Sequence, residues 1–202
     1  MTPDQILPTY DRVAAAWDKA RDRTLFERRY LDRFLSHVPG PGSGPRRILD
    51  LGCGSGRPIA SYLADRRAAV TGVDGSAEMI RLFKANVPAA RAVHADMRGL
   101  DLGQRFDGIL AWNSFFHLSP DDQRAMFAVF AAHAAPRAAL MFTAHPRAGE
   151  PVGAVEGEPV YHASLDPPEY RALLQAEGFE LRDYVPEAQD CRGHTIYLAR
   201  LR

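Results

Sequence analysis

The stretch Ile48-Leu49-Asp50-Leu51-Gly52-Cys53-Gly54-Ser55-Gly56 decides how the rest of the chain is read. A short apolar run ends in an acid, glycines follow at alternate positions, and an amphipathic stretch begins. These are the parts of a strand, a tight βα turn and a helix. Glycine tolerates φ > 0 and lets a ligand approach bare backbone. A helix start offers unpaired N–H groups and a positive dipole end. The segment reads as a ligand cradle at the carboxyl end of a strand, where open α/β sheets bind ligands. Two nucleotide-binding patterns fail on it. The dinucleotide fingerprint G-x-G-x-x-G needs its third glycine where Arg57 stands, and no Gly-Lys-Ser/Thr follows to make a P-loop.

Outward from this turn, short apolar runs alternate with amphipathic stretches, the pattern of βα repeats around a parallel sheet. Strands are expected over 47–51, 69–73, 90–95, 108–112, 139–143, 179–185 and 195–201. Helices are expected over 58–66, 77–86, 120–134 and 168–177. The first five strands are run-like, as strands buried on both faces are. Only 186–194 separates the last two, which suits an antiparallel hairpin. Residues 146–166 carry Gly and Pro with little periodicity and read as an inserted loop. Ahead of the sheet, 10–37 reads as helix with a break near 22–24, and Pro39-Gly-Pro-Gly-Ser-Gly-Pro45 cannot extend it. The expected organisation is a helical cap over 1–38 and one ligand-binding α/β domain over 46–202.

The 202 residues are 46% hydrophobic and 25% charged, which suits one globular domain. Lys+Arg 25 against Asp+Glu 25 leaves no basic excess to hold a phosphate backbone, so nucleic acid is not the expected partner. Two cysteines, Cys53 and Cys191, make neither a disulfide framework nor a Cys-x-x-Cys metal site, and no metal is expected. No apolar run approaches the ~18 residues of a membrane span. The N-terminus lacks the basic and apolar regions of a secretory signal, so a cytoplasmic location is expected.

Two further strand ends carry acids. A carboxylate at Val73-Asp74-Gly75-Ser76 can accept both hydroxyls of an adenosine ribose, and one at His94-Ala95-Asp96-Met97 can accept the exocyclic amine of adenine. Alone, each Asp is more often a helix cap or solvated turn residue. Three acids at successive βα crossings favour a nucleoside-bearing ligand.

On Asp50–Gly56, Val70–Ser76 with Met79, Ala95-Asp96-Met97 and Phe106–Leu118, the chain resembles the class I S-adenosylmethionine-dependent methyltransferases. The resemblance implies a Rossmann-like three-layer α/β sandwich whose seven-stranded mixed sheet runs 3-2-1-4-5-7-6 with strand 7 antiparallel. It implies S-adenosylmethionine as methyl donor. It also implies that Asp50, Gly52, Cys53, Gly54 and Gly56 surround the methionine and ribose part of that cofactor. Asp74 and Gly75 would meet the ribose, Ser76 would cap the next helix, Met79 would pack near adenine, and Asp96 and Met97 would meet its edge. Trp112 and Asn113 would stand where cofactor and substrate meet. The first helix resembles the cap of many members: Tyr10 and Trp17 lie seven apart on one face, and Tyr10 is expected to reach the cofactor.

Methyl transfer from a sulfonium needs alignment more than a nucleophilic triad. His117 is the candidate general base where the acceptor must lose a proton, against the alternative of a packing or capping role beside Ser119-Pro120. His145, Tyr161 and His162 are secondary candidates. His37, His94 and His133 are expected to have no catalytic role. No Pro-Pro-aromatic run follows Asn113, which argues against a nucleic-acid base as acceptor. Trp112, Phe115, Phe116, Met141 and Tyr161 point to a small organic acceptor held by a monomer or homodimer. The alternative from another class is a cofactor-binding sensor or scaffold that transfers nothing.

Overall fold

Ile48, Leu49 and Leu51 are completely buried, and successive residues of their strand enter different cores: Leu49 and Leu51 one, Ile48 the other. That alternation, repeated in Ile109 against Leu110 and in Phe142 against Met141, is what a sheet covered on both faces requires. The computed structural model describes residues 2–40, 42 and 44–202. Its sheet strands are β1 (Arg47–Leu51), β2 (Ala69–Asp74), β3 (Arg91–His94), β4 (Phe106–Ala111), β5 (Ala134–Ala144), β8 (Phe179–Ala188) and β9 (His194–Leu201). The remaining pair, β6 (Val152–Val155) and β7 (Glu158–Tyr161), makes a separate hairpin.

The seven-stranded sheet runs β3-β2-β1-β4-β5-β9-β8, with β9 antiparallel to both neighbours. Counted without the hairpin, this is the expected order 3-2-1-4-5-7-6. Helices α1 (Ile6–Ala20), α2 (Arg28–His37), α3 (Ile59–Asp65), α4 (Ala77–Asn86), α5 (Pro120–His133) and α6 (Pro167–Ala176) complete the chain. One face is covered by α2, α3 and α4 through Phe34, Leu63 and Phe83. On the other, α5 and α6 bring Phe127, Phe130 and Tyr170 against Phe115, Phe142 and Tyr197. Among the described residues, no helix is long and apolar enough to cross a membrane.

Three expectations change. The break in the N-terminal stretch is wider than 22–24, with α1 and α2 separated by residues 21–27, where Leu25 takes a positive φ of 55°. The first helix also starts earlier, at Ile6, because Pro8 lies in its first turn, where the missing N–H has no intrahelical partner to lose. The 146–166 insert is not a bare loop. Glu156 and Gly157, both at positive φ (48° and 81°), form the two-residue turn that lets β6 and β7 pair. The signal was hidden because Glu is an uncommon residue at the first turn position.

Phe115 is fully buried and its ring centroid lies 5.3 Å from Phe142, 5.7 Å from Phe130 and 6.0 Å from Phe127. Phe115→Ala should cost about 3–5 kcal/mol, read as a lower urea midpoint with an unchanged m-value. An undiminished midpoint would show that this cluster does not anchor the turn after β4.

Candidate active site

A cavity of about 410 Å³ opens at the carboxyl ends of β1, β2 and β4, within the range of small-molecule sites. Its floor is the glycine turn. Gly52 takes a φ of 70°, and a Cβ there would lie 2.2 Å from Ser114 Cβ, so no other residue fits. Ser114 is held in place by donating its hydroxyl to Leu51 O at 2.6 Å.

Four backbone donors of this turn are already used. Gly52 N and Cys53 N donate to Val73 O at 2.7 and 3.1 Å. Gly56 N donates to Cys53 O at 3.1 Å, and Gly54 N donates to an Asp74 oxygen at 2.9 Å. The other Asp74 oxygen accepts Ser76 N–H at 2.9 Å. Asp50, Asp74 and Asp96 all line the cavity. Burial, with Asp74 close by, pushes the Asp50 carboxyl up to about 7. Asp96 also chelates the Arg98 guanidinium, at 3.0 and 2.6 Å. A pyrophosphate would meet carboxylates and no free donor at Gly52, Cys53, Gly54 or Gly56. A cation bearing hydroxyls would find acceptors.

The structure brings Tyr10, Asp50, Gly52, Cys53, Gly54, Gly56, Asp74, Met79, Asp96, Met97, Trp112 and His117 to this one cavity. Gly75 and Ser76 are not on its wall. Leu7 of α1 seats on Gly75, where a Cβ would lie 2.6 Å from its side chain. Ser76 caps α4 by accepting Met79 N–H at 3.1 Å and donates to Asp11 of α1 at 2.6 Å. Cys53 contributes no free N–H, and its thiol is buried and pushed well up by desolvation.

Helix α1 forms the roof. Trp17 packs over Gly54, 3.2 Å from where a Cβ would stand, and Tyr10 Oη lies 3.0 Å from His117 Nε2. His117 Nδ1 donates to Tyr161 O at 2.8 Å, which leaves Nε2 as the acceptor of the Tyr10 hydroxyl proton. Burial is the main cause that takes His117 down to about 4, and the neighbouring rings of His162 and His145 add to it. His162 falls to about 4 for the same first reason, burial. Tyr161 does not face the cavity. Its hydroxyl turns to Glu150, 2.5 Å away, and only its carbonyl serves the site. His145 does not line the cavity either. His133 is satisfied inside the fold, donating to Val129 O and accepting Leu102 N–H.

The far half of the cavity is walled by Phe26, Trp112, Phe116, His162, Arg192 and His194. Phe26, Arg192 and His194 had no sequence signal, because they come from the α1–α2 link and the β8–β9 turn, which only the folded sheet brings to β4.

Residues 48–137 match a family described as a methyltransferase domain. The chain is 35% identical over 134 residues to dTDP-3-amino-3,6-dideoxy-alpha-D-glucopyranose N,N-dimethyltransferase of Streptomyces fradiae, covering 65% of this chain and 50% of that protein. The chain spans about half the length of the curated relatives it matches. Among solved structures it is similar to an amino pentose methyltransferase of Micromonospora echinaspora bound to S-adenosylmethionine, with TM-score 0.71, 21% identity and coverage of 94% and 95%. It is also similar to 1,6-didemethyltoxoflavin-N1-methyltransferase of Burkholderia thailandensis, with TM-score 0.71, 22% identity and coverage of 100% and 91%. The fold is thus the Rossmann-like fold shared with these solved methyltransferases.

A histidine held at about 4 binds a proton first in the unfolded chain, where it titrates near 6.5. Its contribution to stability is present above 6.5 and is lost as the pH falls through about 4. The stability difference between the native chain and His117→Gln should therefore shrink over that window, by up to about 3 kcal/mol. Urea titrations at stepped pH measure it, and a difference independent of pH would show that His117 is not held neutral.

Proposed function

We propose that this chain transfers a methyl group from S-adenosylmethionine to a small organic acceptor. The observation that carries this reading is the cradle itself: a glycine turn whose Gly52, Cys53, Gly54 and Gly56 N–H groups are consumed, with Asp50, Asp74 and Asp96 on the cavity wall. Such a surface suits a ligand that is cationic at sulfur and amine and carries hydroxyls. Asp74 would hold the ribose hydroxyls, Met79 and Met97 would enclose adenine with Asp96 at its edge, and Gly52 and Gly54 would lie along the methionine part. Bound there, the cofactor supplies a methyl on a sulfonium, with a neutral thioether as leaving group.

The chain's own task is alignment and exclusion of water. Tyr10 gives its hydroxyl proton to His117 and so presents an oxygen lone pair to the cavity. That lone pair accepts an N–H or O–H of the acceptor and turns the nucleophilic lone pair toward the methyl group. His117, at about 4, is too weak a base to strip a proton from an ammonium, so the acceptor enters neutral or already deprotonated. The names of the similar proteins, an amino-sugar and a ring-nitrogen methyltransferase among them, support a neutral nitrogen as the methylated atom. The cap of residues 1–38 divides in this reading: α1 is the lid, whereas α2 is fixed in the core by Leu31 and Phe34. The two free thiols fit a reducing compartment such as the cytoplasm.

S-adenosylhomocysteine should raise the melting temperature and NAD should not. A saturating ligand at a hundredfold over Kd contributes about 2.7 kcal/mol. Stabilisation by NAD alone would defeat the assignment. Asp74→Asn should weaken S-adenosylhomocysteine binding at least about tenfold by calorimetry, since each charge-assisted bond contributes about 1.5–3 kcal/mol. Once an acceptor screen that detects S-adenosylhomocysteine has supplied a substrate, Tyr10→Phe should lower kcat about 10- to 100-fold and leave cofactor affinity intact. An unchanged kcat would remove Tyr10 from the chemistry.

A further inference from the structure

Asn113 stands one residue past the wall residue Trp112, in the left-handed region at a φ of 52° that Asn tolerates better than most side chains. Its backbone N–H donates to Thr143 Oγ1 at 2.8 Å, and Thr143 Oγ1 in turn donates to Asn113 Oδ1 at 3.1 Å. Thr143 is completely buried on β5 and does not line the cavity. A buried hydroxyl proton needs an acceptor, and Asn113 Oδ1 is the one that Thr143 has. This fixes the direction of the amide. Its oxygen faces Thr143, its NH₂ donates to no protein group among the described residues, and Asn113 lines the cavity.

We propose that Asn113, aimed by Thr143, is the donor that recognises an oxygen lone pair of the methyl acceptor, and that the acceptor bears a carbonyl-type oxygen. This rests on the methyltransferase reading of the same cavity. Aromatic rings line that cavity beside Asn113, with Trp112 stacked on His194 at 5.7 Å and Phe116 edge-on to His162 at 4.8 Å, so a small ring is a suitable probe. The absence of positive charge follows from the lining. Its carboxylates, Asp50, Asp74 and Asp96, all stand at the ends of β1 to β3, on the cofactor's side. The half beyond β4 offers Arg192 and the imidazoles of His162 and His194, both of whose pKa values burial lowers, with no carboxylate in the lining to pair a cation. Asn113 is thus a specificity residue and Thr143 a positioning residue that never touches the ligand.

The probes are 2-pyridone, a flat ring with a carbonyl oxygen, and toluene, a ring of similar size without one. Both are titrated calorimetrically into the full chain loaded with S-adenosylhomocysteine, with the Asn113 side-chain amide followed by NMR. The expected result is binding of 2-pyridone with movement of the Asn113 NH₂ signals. Asn113→Asp and Thr143→Val should each weaken 2-pyridone about tenfold, the size of one lost hydrogen bond. Thr143→Ser, which keeps the hydroxyl, should stay within about twofold of the native chain. Toluene and S-adenosylhomocysteine affinities should hold across the Thr143 variants. Unchanged 2-pyridone affinity in Asn113→Asp or Thr143→Val would overturn the proposal, as would parallel loss of toluene and cofactor binding, which marks a purely structural role. Failure of 2-pyridone to bind a chain that does bind S-adenosylhomocysteine would overturn this inference alone. Failure to bind S-adenosylhomocysteine would overturn the methyltransferase reading with it.

Discussion

The carboxylate of Asp74 ties the turn after β1 to the turn after β2. One oxygen holds Gly54 N–H and the other holds Ser76 N–H. With Val73 O taking two more donors, the floor of the cavity becomes a surface of Cα atoms, carbonyls and carboxylates. Its electrostatic character follows directly. Phosphate sites built on similar glycine turns work because their N–H groups are free. Here the N–H groups of Gly52, Cys53, Gly54 and Gly56 are spent inside the fold, and carboxylates stand beside them. Burying Asp50 and Asp74 as neighbours has a cost, visible in Asp50 held up to about 7. A cation on the floor offsets that cost.

The roof obeys a complementary constraint. Asp11 takes the Ser76 hydroxyl proton and also accepts Glu78 N–H at 3.2 Å, so α1 is attached to the first turn of α4. Leu7, Tyr10 and Trp17 then cover Gly75, His117 and the glycine turn, in that order along one helix. The hairpin closes the other side, where Arg12 meets Glu158 at 3.1 Å and Ile6 joins Val160 and Tyr161 in a small apolar cluster. Water excluded by this roof is what keeps the imidazoles neutral, and neutral imidazoles accept hydrogen bonds without competing with a sulfonium for charge.

The sheet was legible because strands buried on both faces leave continuous apolar runs, and the cradle because acids and glycines sit at fixed places after those runs. Position was legible and partnership was not. Asp96 reads as an exposed acid, yet Arg98, two residues on, holds both its oxygens. Tyr161 reads as an aromatic wall residue, yet its side chain bonds Glu150 and only its carbonyl reaches the site. Ser76 reads correctly as a helix cap, but its second bond, to Asp11, spans 65 positions and leaves no local trace. The break between α1 and α2 is wider than its Asp22–Thr24 core because Arg21 and Glu27 pair with each other instead of continuing a helix. The acceptor half is the least legible part, since Phe26, His162 and His194 are brought together from three loops of unrelated sequence character.

The β6–β7 hairpin pairs only with itself and contributes no strand to the main sheet. Its ladder bonds close within the segment, apart from the main sheet, while Tyr161 O reaches out to accept His117 Nδ1–H. It supplies Ala154, Val155, Val160 and His162 to the cavity, while the cofactor's floor comes from turns on the far side of β4. Donor chemistry and acceptor choice are therefore written in separable parts of the chain. In the proposed reaction, changes confined to this hairpin would reshape one wall of the acceptor's space and leave the turns of the floor as they are.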